Sequence, residues 1–117
     1  MATVYDYSRA LAKALRECEE ARRMRALGAK VRKDVRLEKL LREFRQVQFD
    51  VQSLQLQGKT PGKELVDRFT KLAKAAEAEP ALVEYLAAEN AYGRMLGEVQ
   101  EVLEEAFSPD VPGALGK

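Results

Sequence analysis

A chain of 117 residues with 20 Lys/Arg, 19 Asp/Glu and no histidine has the length of one domain, and it can bury a core if its helices pack on one another or on a partner. Hydrophobic residues make up 46% and charged residues 33%, with seven Gly and four Pro, which excludes extensive disorder away from the ends. One cysteine, Cys18, excludes an internal disulfide and a cysteine–histidine metal cluster, and no run reaches the ~18 apolar residues of a membrane span or follows the pattern of a secretory leader, so a cytoplasmic protein without a cofactor or membrane attachment is expected.

From Thr3, the residues Val4, Tyr7, Leu11, Leu15 and Cys18 recur every three or four positions, as an amphipathic helix requires. Asp6 and Ser8 stand near its start to satisfy free backbone N–H groups. The stripe continues through Met24, Leu27 and Val31. Composition alone therefore allows one helix from about residue 4 to 33, or two.

Asp34 follows Lys30, Arg32 and Lys33. The cations suit the negative end of a helix, and Asp34 can cap the next one. From there to Gly58 the spacing predicts a helix of 25 residues, roughly 36 Å long, too long to hide in a small globule. Leu37, Leu40, Leu41, Phe44, Val47, Val51 and Leu54 share one face at about 100° per residue, whereas Phe49 and Leu56 lie off it with Gln48, Gln52 and Gln55 between. Two readings fit: a partly polar packing surface, or a solvated helix tip with one stray Phe.

Gly58 ends the helix, and Lys59-Thr60-Pro61-Gly62 reads as a tight connection with Thr60 capping and Pro61 at the first helical position. Leu65, Phe69, Leu72 and Ala76 mark a shorter helix, interrupted at Glu79-Pro80. The last helix runs from Pro80 to about Phe107. One of its arcs carries Leu82, Tyr85, Leu86, Tyr92, Leu96, Val99, Leu103 and Phe107, and a second carries Ala88, Ala91, Met95, Val102 and Ala106, so apolar character wraps more than half the circumference. The expected fold is all-α: an elongated antiparallel bundle of four to five helices, two of them long. Residues 1–108 form a single helical domain in this reading and 109–117 a flexible C-terminal tail rich in Gly and Pro.

Charge is uneven along the chain. Residues 1 to 60 carry 14 Lys/Arg against 8 Asp/Glu, a net +6, and residues 61 to 117 carry 6 against 11, a net −5. This asymmetry either steers a partner or a second copy, or is mixed in space by a helical hairpin folded back on itself.

Little in the sequence points to chemistry. Without histidine no ordinary nucleophile–base pair forms, and neither a P-loop, a G-x-G-x-x-G nor a G-x-S-x-G is present, so the chain is read as no enzyme. Glu98, Glu101 and Glu105 recur at helical spacing but lack the histidines of a di-iron site. Glu89 intrudes on a core stripe, and a buried carboxylate must be paired; Arg45 or Arg42 is the expected partner, in an ion pair that fixes helix register. Gly93 and Gly97 allow close helix approach. Arg22, Arg23, Arg25, Lys30, Arg32, Lys33 and Arg36 form the densest basic run, the alternative being that it contacts nucleic acid. The run is spread around its helix without aromatics for stacking, which argues against RNA or DNA. Self-association through Phe49, Leu56, Met95 and Val102 is the first reading.

The order Leu37 to Gln57 (LEKLLREFRQVQFDVQSLQLQ), Gly58-Lys59, a short helix, Pro80-Ala-Leu-Val-Glu-Tyr-Leu-Ala-Ala-Glu89-Asn and Gly97-Glu98-Val99 resembles the YlbF/YmcA family of bacterial proteins, most closely its YheA-like branch. The likeness spans residues 4 to about 107, with Val4-Tyr5-Asp6 at its start. The resemblance implies an antiparallel helical bundle that associates with itself or with related chains, and the apolar residues Phe49, Leu56, Met95 and Val102 make a homodimer the first expectation. It also implies a non-enzymatic regulatory partner, as in members acting on competence, sporulation, biofilm formation and RNA processing through an endoribonuclease. In similar sequences the first helical region divides at a capping serine whose place Cys18 takes here, so a bend is expected near Glu17 and Cys18. Some relatives carry a cysteine-rich tail linked to an iron–sulfur cluster; this chain ends in Leu115-Gly116-Lys117, and no cluster is carried over.

Overall fold

The computed structural model describes residues 1–107; the tail expected at 109–117 lies outside the described residues. Five α-helices follow one another: α1 (Val4–Glu17), α2 (Glu19–Arg32), α3 (Val35–Leu56), α4 (Lys63–Glu77) and α5 (Pro80–Phe107). There is no strand among the described residues, and the all-α expectation holds.

Local chemistry explains the boundaries. Thr3 and Asp6 form a reciprocal capping box at the start of α1: the Asp6 N–H donates to Thr3 Oγ1 at 3.2 Å and the Thr3 N–H to Asp6 Oδ2 at 2.9 Å. This satisfies two of the orphan donors of a helix N-terminus. Ser8 does not cap as expected; its hydroxyl donates to the Tyr5 carbonyl, a bond open to a serine already inside the helix.

The chain divides at Cys18, whose ψ of 161° is extended. Its N–H still closes α1 on the Ala14 carbonyl while its own carbonyl accepts from Arg22 in α2. The thiol points backwards, donating to Leu15 O at 3.4 Å with Met95 Sδ 3.9 Å away. Cys18 thus ends one helix and starts the next through its backbone.

Asp34 caps α3 as expected, accepting from the N–H groups of Arg36 at 3.0 Å and Leu37 at 3.2 Å. At the other end Gly58 adopts φ +75°. Its N–H donates to Gln55 O, and the Lys59 N–H donates to Leu54 O, the paired bonds of a Schellman stop. The connection beyond differs from expectation. Gly62, with ψ 164° and no side-chain cap, precedes α4, whose first residue is Lys63. Thr60 and Pro61 stay outside the helix because Gly62 resists helical geometry and holds the chain extended for one more residue.

The described residues form two compact units, one of Met1–Met24 with the chain from Ala87 onward, the other of Arg25–Leu86. In Arg25–Leu86, Val31, Leu37, Ala76 and Leu82 make a core flanked by Leu40, Leu41, Ala81 and Tyr85. Phe44 of α3 stacks on Phe69 of α4 with ring centroids 5.8 Å apart. α2 comes close to α5 at Gly28, where a Cβ would lie 3.1 Å from Tyr85 Cε1. Gly93 and Gly97, expected to serve close approach, have nothing within 4 Å of an added Cβ. In the other unit the buried residues are Ala21 and Ala88 alone among those described.

Candidate interaction surface

Interaction surfaces are built where apolar side chains stay in water. In the Arg25–Leu86 unit, Phe49 is 64% exposed and Leu56, the last residue of α3, 89% exposed. Both lie off the stripe that buries Leu37 and Val47. Their immediate neighbours are polar: Gln46 donates to Asp50 Oδ1 at 3.0 Å across one helical turn. In the other unit Val102 is 63% exposed, and Leu103, Phe107, Val4, Tyr5 and Tyr7 are exposed as well. Met95 is half-buried beside Cys18. Of the four residues expected at an interface, three are therefore open to solvent and Met95 is half covered.

An open groove of about 240 Å³ runs over Ala87, Ala88 and Ala91 of α5, with Glu19, Glu20 and Arg23 of α2 along it.

The other residues singled out from the sequence fall elsewhere. Glu89 is half-buried and Arg45 exposed, and no charged residue is fully buried among those described, so the expected burial of this pair is corrected. The reason lies in α5, where the flanking Tyr85, Leu86 and Tyr92 are themselves only half-buried. The Arg45 guanidinium stands 6.0 Å from the centre of the Tyr85 ring, within range of a cation–π contact. Arg22, Arg23, Arg25, Lys30, Arg32 and Lys33 are exposed. Arg36 is paired with a carboxylate: Nη1 donates to Glu79 Oε2 at 2.7 Å and Nη2 to Oε1 at 3.1 Å. The hydrogen bond from Arg36 holds the Glu79 carboxyl below the usual carboxylate range, and the same bond raises the Arg36 guanidinium. Neither partner had been paired from sequence. A signal was present, however, because Arg36 lies in the first turn of α3, where the helix dipole disfavours a cation unless a carboxylate stands nearby.

Among the described residues no group of three or more Cys, Asp or Glu is placed to hold a metal ion, and no helix is long and apolar enough to cross a membrane.

Five helices with large apolar side chains left at the surface among the described residues define an all-helical protein. The chain belongs to the YlbF/YmcA family: the family model described as control of competence regulator ComK, YlbF/YmcA, matches residues 4–108. It is 29% identical over 106 residues to a UPF0342 protein of Caldicellulosiruptor saccharolyticus, covering 91% of this chain and 88% of the relative. In fold it resembles a protein of unknown function (DUF964) from Bacillus stearothermophilus, with TM-score 0.76 and 18% identity over 96% of this chain and 98% of that one. It also resembles Bacillus subtilis RicA, whose crystal structure is of a complex with RicF, with TM-score 0.63 and 18% identity over 91% of this chain and 94% of the other.

Proposed function

We propose that this chain is a non-enzymatic, cytoplasmic regulatory protein that works by association, first with a second copy of itself and then with related chains or a ribonuclease assembly. Competence, sporulation, biofilm formation and RNA processing are the processes in which such a partner acts. The observation that carries the reading is the exposure of Phe49 and Leu56 on α3, apolar side chains with no function in the monomer's own core. Family membership and the RicA–RicF complex of a fold relative support it. Sedimentation of the full chain at tens of micromolar tests it: a dimer or larger species is expected, and Phe49→Asp weakens association while leaving the helical circular dichroism intact. A strictly monomeric chain that also captures no protein from its native cell extract overturns the reading.

A further inference from the structure

We infer that α1 is a strap, able to swing off α5 about Cys18 as one piece while α2 and the rest of the chain stay folded. The motion belongs to a single chain, so it goes beyond the association proposed above and does not require it.

The first ground is how little holds α1 down. Each of the other helices has at least one fully buried side chain: Ala21, Leu27 and Val31 in α2, Leu37 and Val47 in α3, Ala76 in α4, Leu82 and Ala88 in α5. α1 has none in 14 residues. Its covered side is the half-buried line Leu11, Ala12 and Leu15, which continues to Cys18, while Val4, Tyr5 and Tyr7 before it are exposed. Partly covered side chains contribute only part of the apolar burial that fixes a helix, and a helix this short is marginal in water without it. Weakly packed elements of this kind are the ones that open locally.

The second ground is the joint. The hydrogen-bond ladder of α1 ends where the Cys18 N–H meets the Ala14 carbonyl, and that of α2 begins where the Cys18 carbonyl accepts from Arg22. Cys18 itself is extended, with ψ 161°. Rotation at this residue therefore leaves both ladders whole, as at hinges formed by the terminal residues of elements. A continuous helix over residues 4–32 would have to break its own ladder to release the same segment.

The third ground is what the strap covers. Cys18 Sγ lies 3.9 Å from Met95 Sδ, on the face of α5 that Met95 shares with Val99 and Val102 at i, i+4 and i+7. Met95 and Val99 are half-buried and Val102 is exposed. When α1 swings away, the Leu15 carbonyl, 3.4 Å from the Cys18 thiol, leaves with it, and the open apolar strip lengthens from Val102 toward Met95. The position of the strap thus sets how much of α5 is available.

Cys18 is the chain's one cysteine and reports the opening directly. Alkylation of the native full chain by iodoacetamide, read by mass spectrometry at the lowest practicable protein concentration, measures the rate, and the urea-unfolded chain sets the rate of a fully open thiol. The native rate is expected to be about tenfold slower. Leu11→Asp, two turns and roughly 10 Å from Cys18, raises it at least about threefold. Ala10→Gly, at an exposed position, raises it about fourfold. Lys71→Gly, at an exposed position of α4, weakens its helix to a similar degree and leaves the rate unchanged, because the strap opens without global unfolding. Helical circular dichroism verifies the fold of each variant, and Ala10→Gly carries the test if Leu11→Asp does not fold. A native rate equal to that of the unfolded chain overturns the inference, because no closed state then exists. A rate indifferent to both α1 variants overturns it as well, since Cys18 then moves alone. An equal rise in Lys71→Gly does the same, because the thiol is then reached by global unfolding.

Discussion

Arg36, the second residue of α3, grips Glu79, the last residue before Pro80, through both terminal guanidinium nitrogens, at 2.7 and 3.1 Å. Glu79 also offers its backbone carbonyl to the N–H groups of Leu82 and Val83, so one residue starts α5 and ties α3 to it. The folded chain holds the Glu79 carboxyl below its ordinary value. Between that folded value and the ordinary value of about 4.3, the unfolded chain binds more protons. The contribution of the pair is therefore complete above the ordinary value and is lost as pH falls through the folded one. Thermal melts of the parent chain and Glu79→Gln from neutral pH downward check this: the gap between them stays constant above about pH 5 and closes in stronger acid. A gap that persists unchanged into strong acid shows that the pair adds nothing.

Leu82 is 0% exposed. Leu82→Ala leaves a cavity among Val31, Leu37 and Ala76 and is expected to lower stability by about 2–5 kcal/mol. Val102→Ala, at an exposed position, leaves the monomer within about 0.5 kcal/mol of the parent. Urea unfolding at low protein concentration separates the two, and equal losses would contradict the burial of Leu82.

Gly58 has φ +75° with open space around an added Cβ. Gly58→Ala therefore meets no clash and registers backbone strain alone, about 1–2 kcal/mol. Gly58→Asn, which tolerates the left-handed region better, is expected to lose less. Reversal of that order in denaturant melts would mean that the stop at Gln57 forms differently.

Cys18→Ser keeps a donor for the Leu15 carbonyl and fits the extended backbone of the break. Stability within about 1 kcal/mol of the parent is expected. Cys18→Leu has no donor and forces extra bulk beside Met95, so it melts lower. Calorimetry of both variants decides between a backbone break that tolerates serine and a packed thiol that does not.

Helix ends governed by adjacent residues were legible in the sequence. Asp34 and Gly58 announce α3 because a cap and a left-handed stop are local events, and Glu79-Pro80 marks α5 for the same reason. Thr60-Pro61 misled because it matches a cap and first helical residue, while Gly62 after it delays the helix. The Arg36–Glu79 pair joins residues 43 positions apart, and nothing local records that distance. Gly28 is where α2 makes room for Tyr85, a contact that local periodicity does not record either. Glu89 was placed on a core arc by periodicity, but periodicity gives an angle around a helix and not the depth of what covers it. Exposure of Phe49 and Leu56 was legible because they fall off the stripe that Leu37 and Val47 define.

The contrast between Leu82 with its neighbours on one side and Ala21 and Ala88 on the other sets an order of disassembly. Amides of α1 stand to lose hydrogen-exchange protection before those of α3, since fraying there uncovers no fully buried side chain. The first two dozen residues are thus where a protease would cut first, and where any bound protein would do most to slow it.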